Sequence, residues 1–278
     1  MSEAPLSDSV LDHLRRVTAL PDLSGTRYEL EDEIGRGGLG VVYRARDRQL
    51  DRPVALKVLD QAMAGEARLI ARLEHPAIVP IHDAGLLPDG RAFYAMKLVA
   101  GARLDRYVAA APSPAERLRV FRRVAEALAF AHARGAIHRD LKPQNVMVGE
   151  FGEVYVMDWG VEGVAGTPAF RAPEASLDAQ SDIYALGALL AFLLPTPAPP
   201  ALRAVAHKAM APAPDARYRD VPALLADIER FQEGAAVEAW REPLWHAFRR
   251  FWSRNTALLW LLAAYAVVKL LLFFWGRR

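Results

Sequence analysis

The chain has 278 residues, enough to bury a substantial core in one large domain or two ordinary ones. Its 35 Lys and Arg against 33 Asp and Glu give a formal net charge of +2, which argues against a nucleic-acid partner bound through bulk charge. Because the chain has no cysteine, disulfides and thiolate metal sites are excluded, and any metal ligands are carboxylate, amide or imidazole groups.

Residues 1–27 are an N-terminal extension. The first part of it carries several acids and lacks the apolar run of about seven to fifteen residues that a signal peptide needs. We therefore expect the N-terminal part of the chain to stay in the cytoplasm.

From Tyr28 to about Leu98 the hydrophobic pattern has a period of two. Four segments, YELEDEIG, VVYRARD, PVALKVL and AFYAMKLV, are each bounded by Gly, Pro or Asp. This pattern predicts an antiparallel sheet, interrupted by one helix at Gly65–Glu74.

After Gly101 the pattern changes to a helical period. Ser113, Pro114 and Glu116 predict a helix start with a capping box, and Gly135 predicts its end. The segment VMVGEFGEVYVM predicts a short strand pair, and further helices are predicted at Asp182–Leu194, Pro200–Met210 and Val221–Glu233. The fold class is therefore α+β, with a small β-rich lobe followed by a larger α-rich lobe.

The last part of the chain has the composition of a membrane anchor. Ala257–Trp275 contains one charge, Lys269, and at about 1.5 Å per helical residue it reaches roughly the thickness of a hydrocarbon core. Residues 256–275 are therefore predicted to be a transmembrane helix, with a tail at 276–278. The preceding segment, 233–255, interleaves Trp and Phe with arginines and suits an interfacial helix at anionic headgroups. The alternative is a helix packed on the globular domain.

Gly35, Gly37 and Gly40 form a G-x-G-x-x-G pattern that lets backbone amides approach a phosphate. A mobile glycine turn and a dinucleotide-binding turn are alternative interpretations. The dinucleotide turn needs a helix after the glycines, whereas here the strand-like VVYRAR follows.

The segment VALK places Ala55 and Lys57 on one face of a strand, because side chains repeat every two residues. Lys57 can then reach phosphates beneath the glycine turn, and Glu66 on the following helix can pair with it. Either residue alone is more often an ordinary surface charge.

The segment HRDLKPQN is the most informative one in the chain. Asp140 is a candidate base, Lys142 a phosphate-facing cation and Asn145 a metal-ligating amide. Downstream, Asp158 in DWG is a second oxygen ligand suited to Mg²⁺.

In this order, the motifs resemble those of eukaryotic-type serine/threonine protein kinases, of the membrane-anchored kind found in bacteria, over roughly Tyr28–Gln232. The resemblance implies a two-lobed protein kinase fold, with an N-lobe at 28–98 and a C-lobe at 99–232. It implies phosphoryl transfer from ATP, with Mg²⁺ or alternatively Mn²⁺, to serine or threonine hydroxyls of protein substrates.

The same resemblance implies a role for each matching residue. Lys57 grips the ATP phosphates, Glu66 orients Lys57, and Thr167 bonds Asp140 and Lys142. The implied catalytic residues are Asp140, Lys142, Asn145, Lys57, Glu66 and Thr167, and the implied metal ligands are Asn145 and Asp158. The implied nucleotide-binding residues are Ile34, Gly35, Arg36, Gly37, Gly38, Leu39, Gly40, Val42, Ala55, Lys57, Met96, Lys97, Leu98 and Met147.

The segment GTPAFRAPE resembles the one that positions the protein substrate in this family. The resemblance implies that Glu174 pairs with Arg217 and that Asp182 anchors the catalytic loop from a buried helix.

The segment PTPAPP, at 195–200, stands where the family has another helix and substrate-docking loops. An ATP-binding pseudokinase that acts as a scaffold is therefore an alternative, and a small-molecule phosphotransferase is a second. The expected location is the inner membrane, with a single span and the kinase domain facing the cytoplasm, where ATP is supplied. Protein substrates and the bilayer are the expected partners, without nucleic acid, and self-association is left open.

Overall fold

The computed structural model describes residues 20–37, 40–59, 70–110, 112–159, 168–174 and 176–243, together with isolated residues between 260 and 275. Gly38, Leu39, Glu66 and Thr167 lie outside the described residues, as does the first half of the predicted helix Gly65–Glu74, residues 65–69. In its second half, Ile70 is helical, residues 71–72 form a turn and residues 73–74 have no regular secondary structure, so the predicted end of the helix at Glu74 is wrong.

The N-lobe is a five-stranded antiparallel sheet with the order β1-β2-β3-β5-β4. The strands are β1 (Tyr28–Gly37), β2 (Gly40–Asp47), β3 (Arg52–Leu59), β4 (Ile81–Leu86) and β5 (Ala92–Lys97). The four strands that the period-two segments predicted are confirmed. The sequence analysis missed β4 because its residues, IHDAGL, do not alternate.

The two faces of the central strand β3 pack into different parts of the core. Val54, Leu56 and Val58 belong to a cluster on the outer face of the sheet. Ala55 and Leu59 belong to the main core, which continues into the helical lobe. Lys57 alternates with these two residues and therefore faces the other lobe.

The C-lobe is built from α1 (Leu104–Ala109), α2 (Pro114–His132), α3 (Ala179–Leu193), α4 (Pro200–Ala209) and α5 (Val221–Gln232). The start of α2 is as predicted: the Ser113 side chain accepts from the Glu116 N–H, and the Glu116 carboxylate accepts from the Ser113 N–H. Gly135 follows this helix with φ +72°, which only glycine adopts readily. The predicted helices α3, α4 and α5 are confirmed, with ends shifted by one to three residues.

A second, three-stranded sheet lies between the lobes. It consists of β6 (Gly101–Arg103), β7 (Val146–Gly149) and β8 (Val154–Val156), in that order. The pair β7 and β8 confirms the predicted strand pair and places the preceding loop at the interface between the lobes.

Within the part of the chain that the structure describes, no helix combines the length and the apolar character needed to cross a membrane. The predicted span at 256–275 lies mostly outside those residues.

Candidate active site

A cleft of about 1940 Å³, open solvent at its mouth included, lies between the sheet and the helical lobe. The sheet contributes residues from β1, β2, β3 and β5, and the C-lobe contributes the loop before β7 and the residues after β8. The predicted site residues that line it are Ile34, Gly35, Arg36, Gly37, Gly40, Val42, Ala55, Lys57, Met96, Lys97, Leu98, Asp140, Lys142, Asn145, Met147 and Asp158. The structure therefore brings together every predicted site residue that it describes.

The glycine turn covers this cleft, and its glycines differ in what they require. Gly40 has φ +146°, and a Cβ added there would lie 2.2 Å from the backbone oxygen of Val58. Only glycine fits this position. A Cβ added at Gly37 would meet no atom of the described residues within 4 Å, which leaves space for a ligand beside it.

Lys57 and Asp158 form an ion pair across the cleft. The Lys57 Nζ donates to Asp158 Oδ1 at 2.8 Å, and only 6% of the Lys57 side chain is exposed. Asp158 has φ +58°, an uncommon backbone conformation for a residue other than glycine. The strained backbone turns this carboxylate toward the lysine, and the two groups together can hold phosphate and metal.

The catalytic loop brings three functional groups together. The Lys142 Nζ donates to Asp140 Oδ2 at 2.7 Å. The Asn145 amide nitrogen donates to the backbone oxygen of Asp140 at 2.8 Å and to Asp140 Oδ2 at 3.2 Å. With its nitrogen bound to Asp140, the Asn145 side chain has its oxygen left to coordinate a cation.

Asp182, at the start of α3, fixes the backbone of this loop and confirms the predicted anchor. Its two carboxylate oxygens accept from the N–H groups of His138 at 2.8 Å and Arg139 at 2.9 Å. His132 Nε2 lies 2.8 Å from the same carboxylate. Asp182 is 1% exposed, so these bonds are formed away from water and hold the loop firmly.

His138 is fully buried beside the base. Its Nε2 lies 3.0 Å from the backbone oxygen of Met157 and therefore donates, while its Nδ1 accepts from the Asp140 N–H at 3.3 Å. The Trp159 ring lies 4.8 Å away, centroid to centroid. Burial lowers the pKa of His138, so its imidazole is neutral at pH 7 and acts as a fixed spacer within the loop.

The residues present fit a divalent cation that is shared with a phosphate. Among the described residues there is no group of three or more His, Asp or Glu side chains that could hold a metal by themselves. Asn145 and Asp158 offer one amide oxygen and one carboxylate at the same cleft. Two protein ligands completed by phosphate oxygens and water are typical of Mg²⁺.

Outside the cleft, Glu174 and Arg217 form the predicted pair. Two nitrogens of the guanidinium donate to the two carboxylate oxygens, each at 2.6 Å. The Arg217 side chain is fully buried and also donates to the backbone oxygens of Ala211, Gln180 and Pro212. The hydrogen bonds from Arg217 lower the pKa of Glu174 and keep it ionised.

Several residues that line the cleft are missing from the sequence-based set: Arg44, Val99, Arg103, Arg106, Gln144 and Met157. Two of them carry a usable signal. Arg44 alternates with Val42 on β2 and so shares its face, and Gln144 lies within the informative segment HRDLKPQN. The other residues line the cleft only because of how the sheet between the lobes packs against the N-lobe, which their sequence does not indicate.

A small sheet lobe and a larger helical lobe that enclose a lysine, a candidate base and two oxygen donors suited to a metal are typical of an ATP-dependent phosphotransferase. A family model described as the protein kinase domain matches residues 28–211. PknL, a serine/threonine-protein kinase of Mycobacterium tuberculosis, is 34% identical over 279 residues, covering 80% of this chain and 69% of PknL. The chain belongs to the eukaryotic-type serine/threonine protein kinases of bacteria.

Two further proteins agree with this assignment. The serine/threonine-protein kinase PknB of Mycolicibacterium smegmatis is 33% identical over 281 residues, covering 79% of this chain and 45% of PknB. The crystal structure of a cysteine-to-alanine variant of the M. tuberculosis PknI kinase domain has a TM-score of 0.59 and 29% identity, covering 73% of this chain and 95% of that domain. The chain is a protein serine/threonine kinase, and enzymes of this family use ATP and a divalent metal ion, generally Mg²⁺.

Proposed function

We propose that the cleft transfers the γ-phosphoryl group of ATP to protein serine or threonine hydroxyls, with Asp140 as the base. The observation that carries this proposal is the convergence of Lys57, Asp140, Asn145 and Asp158 on one cleft. The glycine turn covers the nucleotide, and Lys57 holds its phosphates.

In the chemical step, Asp140 accepts the proton of the substrate hydroxyl. The hydroxyl oxygen forms a bond to the γ-phosphorus, the bond from that phosphorus to the β–γ bridging oxygen breaks, and ADP leaves. Lys142, 2.7 Å from Asp140, stands where it can bind the transferring group as charge develops on it. Mg²⁺ held by Asn145 and Asp158, when bound, neutralises phosphate charge. Glu66 as the partner of Lys57, and Thr167 as a partner of Asp140 and Lys142, stay predictions from the sequence.

Phosphoryl transfer by the full-length chain in detergent micelles tests this proposal, with γ-³²P-ATP and a generic protein substrate. Asp140→Asn removes the base, and we expect a loss of about 1000-fold in rate. Lys57→Met should also abolish transfer. The matched control is Asp178→Asn, the same chemical change at an exposed helix N-cap of α3.

Equal incorporation of phosphate by the wild type and both site variants would contradict the proposal. Nucleotide binding by the wild type without transfer would instead favour the scaffold interpretation.

The second part of the proposal is a membrane anchor at 256–275, with the kinase domain on the cytoplasmic side of the inner membrane. The sequence there has one charge between Ala257 and Trp275. Large apolar side chains that the structure does describe in this region are mostly exposed: Trp260, Leu261, Tyr265, Val267, Val268 and Trp275. A row of exposed apolar groups of this size suits contact with lipid.

Alkaline extraction of bacterial membranes tests the anchor. The wild-type chain should stay in the membrane pellet. The double substitution Leu261→Lys and Val268→Lys places two charges inside the span, and we expect it to release the chain into the supernatant. Equal extraction of the two proteins would overturn the anchor and leave the kinase proposal intact.

A further inference from the structure

A second, smaller cavity, with about 410 Å³ of empty space that includes open solvent at its mouth, adjoins the nucleotide cleft at Asp140. Its lining includes Asp140 and the segment from Phe170 to Ala172. Among the described residues, Asp140 is the one that lines both spaces. A protein substrate whose hydroxyl reaches Asp140 therefore has this cavity directly beside its acceptor residue.

The rim of this cavity carries an exposed cation. Arg171 lines the cavity, and its guanidinium makes no hydrogen bond or ion pair with any described residue. Its backbone N–H donates to Pro168 O at 3.4 Å. The Arg171 side chain is therefore available to a ligand.

The two carboxylates that line the cavity, Asp140 and Asp182, form no ion pair with Arg171. Asp182 accepts from the N–H groups of His138 and Arg139 and is bonded to His132. Asp140 is paired with Lys142 at 2.7 Å. Both carboxylates are thus bonded to groups other than Arg171, and the Arg171 guanidinium presents its positive charge to an incoming side chain.

Apolar walls make up part of the cavity lining. Phe170, Leu177 and Ala185 contribute to them. A side chain with a short aliphatic stem and an anionic end matches this arrangement, because its methylene groups pack on the walls while its carboxylate reaches the guanidinium.

We propose that Arg171 determines substrate specificity by binding an acidic side chain that is the immediate neighbour of the phosphorylated serine or threonine. This inference rests on the proposed function, since it places the acceptor hydroxyl at Asp140. It names the substrate class as proteins with Glu or Asp next to the acceptor.

The test measures kcat and KM of the full-length chain, in detergent micelles, on peptides with one serine and otherwise neutral residues. Each peptide carries Glu, Gln or Lys immediately before or immediately after the serine. At one of these two positions, we expect kcat/KM for the Glu peptide to exceed that for the Gln peptide about tenfold, mainly through KM, because the contact is a partly exposed charge-assisted hydrogen bond.

Three variants assign the effect to Arg171. Arg171→Glu should invert the order, so that the Lys peptide becomes the better substrate. Arg171→Lys should retain the preference for Glu in weaker form, because it keeps the charge and loses the bidentate geometry. The control is Arg203→Glu, the same change at an exposed position of α4 that lines neither cavity, and it should keep the wild-type order.

Equal kcat/KM for the Glu, Gln and Lys peptides at both positions would overturn this inference while the kinase function stands. A preference for Glu that Arg171→Glu leaves unchanged would overturn it as well. If the wild type phosphorylates no peptide and no protein, the proposed function fails, and this inference fails with it.

Discussion

The glycine turn and the catalytic loop line the same cleft, but the protein holds them in different ways. The loop around Asp140 is fixed by buried hydrogen bonds to Asp182, which is 1% exposed. The strands β1 and β2 that flank the glycine turn are held by their ladder of hydrogen bonds, and Ile34 in β1 is 42% exposed. The groups of the catalytic loop are thus fixed in advance, while the described residues of the turn, such as Arg36 and Gly37, are exposed.

This difference has a physical consequence for mutations. A change beneath the catalytic loop leaves buried donors without acceptors and should affect folding and activity together. A change in the turn should affect nucleotide binding, and it should affect folding only where the backbone itself needs glycine.

The largest effect is expected for Asp182→Asn. The NH2 group of the new amide would face one of the two backbone N–H groups that now donate to the carboxylate, and we expect a loss of about 4 kcal/mol in the free energy of unfolding. Activity should fall at least about 100-fold, because the base is displaced. Chemical denaturation and phosphoryl-transfer rates measure the two effects.

Asp178→Asn on the same helix is the matched control. Asp178 is the exposed N-cap of α3, and Asn caps helices about as well as Asp. If both variants lose stability equally, the distinction between a buried anchor and an exposed cap is wrong.

The next largest effect is expected at the ion pair between Glu174 and Arg217. Glu174→Gln leaves the buried Arg217 without its anionic partner and should cost about 3 kcal/mol. The pKa of Glu174 is lowered in the folded state. The contribution of its carboxylate to the free energy of unfolding is therefore complete above the unfolded pKa of about 4.3, and it is lost as the pH falls through the folded pKa. The free energies of unfolding of the wild type and of Glu174→Gln, measured from pH 7 to pH 3, should therefore converge at the acid end of this range.

Substitutions at two glycines, Gly37 and Gly40, test whether a change in the turn affects folding or nucleotide binding. Gly40→Ala places a Cβ against Val58 O at φ +146° and should destabilise the fold by about 2 kcal/mol or more. Gly37→Ala meets no atom within 4 Å, so we expect a stability within about 0.5 kcal/mol of the wild type. Its measurable effect should be a higher KM for ATP. Equal destabilisation by the two substitutions would contradict the different roles assigned to these glycines.

The last expected effect depends on pH and concerns His138. Its folded pKa lies below the unfolded value of about 6.5, so its contribution to stability is complete above that value and is lost as the pH falls. The difference in unfolding free energy between the wild type and His138→Gln should therefore shrink by about 1 kcal/mol between pH 7.5 and pH 5.5. A difference that does not change with pH would mean that His138 is not held neutral by burial.

The sequence is most informative where local pattern decides the structure. The strands around Lys57 and the capped helix α2 follow from residue spacing and from Ser113 and Glu116 alone. The strand β4 does not, because His82, Asp83 and Gly85 break the alternation and the strand is stabilised by pairing with β5.

The candidate site could also be predicted only where local sequence pattern decides the structure. Motif spacing identified Lys57 and Asp158, but their 2.8 Å contact joins residues 101 positions apart and depends on how the two lobes meet. The positive φ of Asp158 and the cavity beside Arg171 are likewise products of tertiary packing, which no local pattern predicts.

A crystal structure of the chain with a non-hydrolysable ATP analogue and Mg²⁺ tests the proposed site. The terminal phosphate should lie beneath the glycine turn, within reach of Lys57 and Lys142, with Mg²⁺ bound by Asn145 and Asp158. A nucleotide bound elsewhere, or a terminal phosphate that contacts neither lysine, would contradict phosphoryl transfer in this cleft.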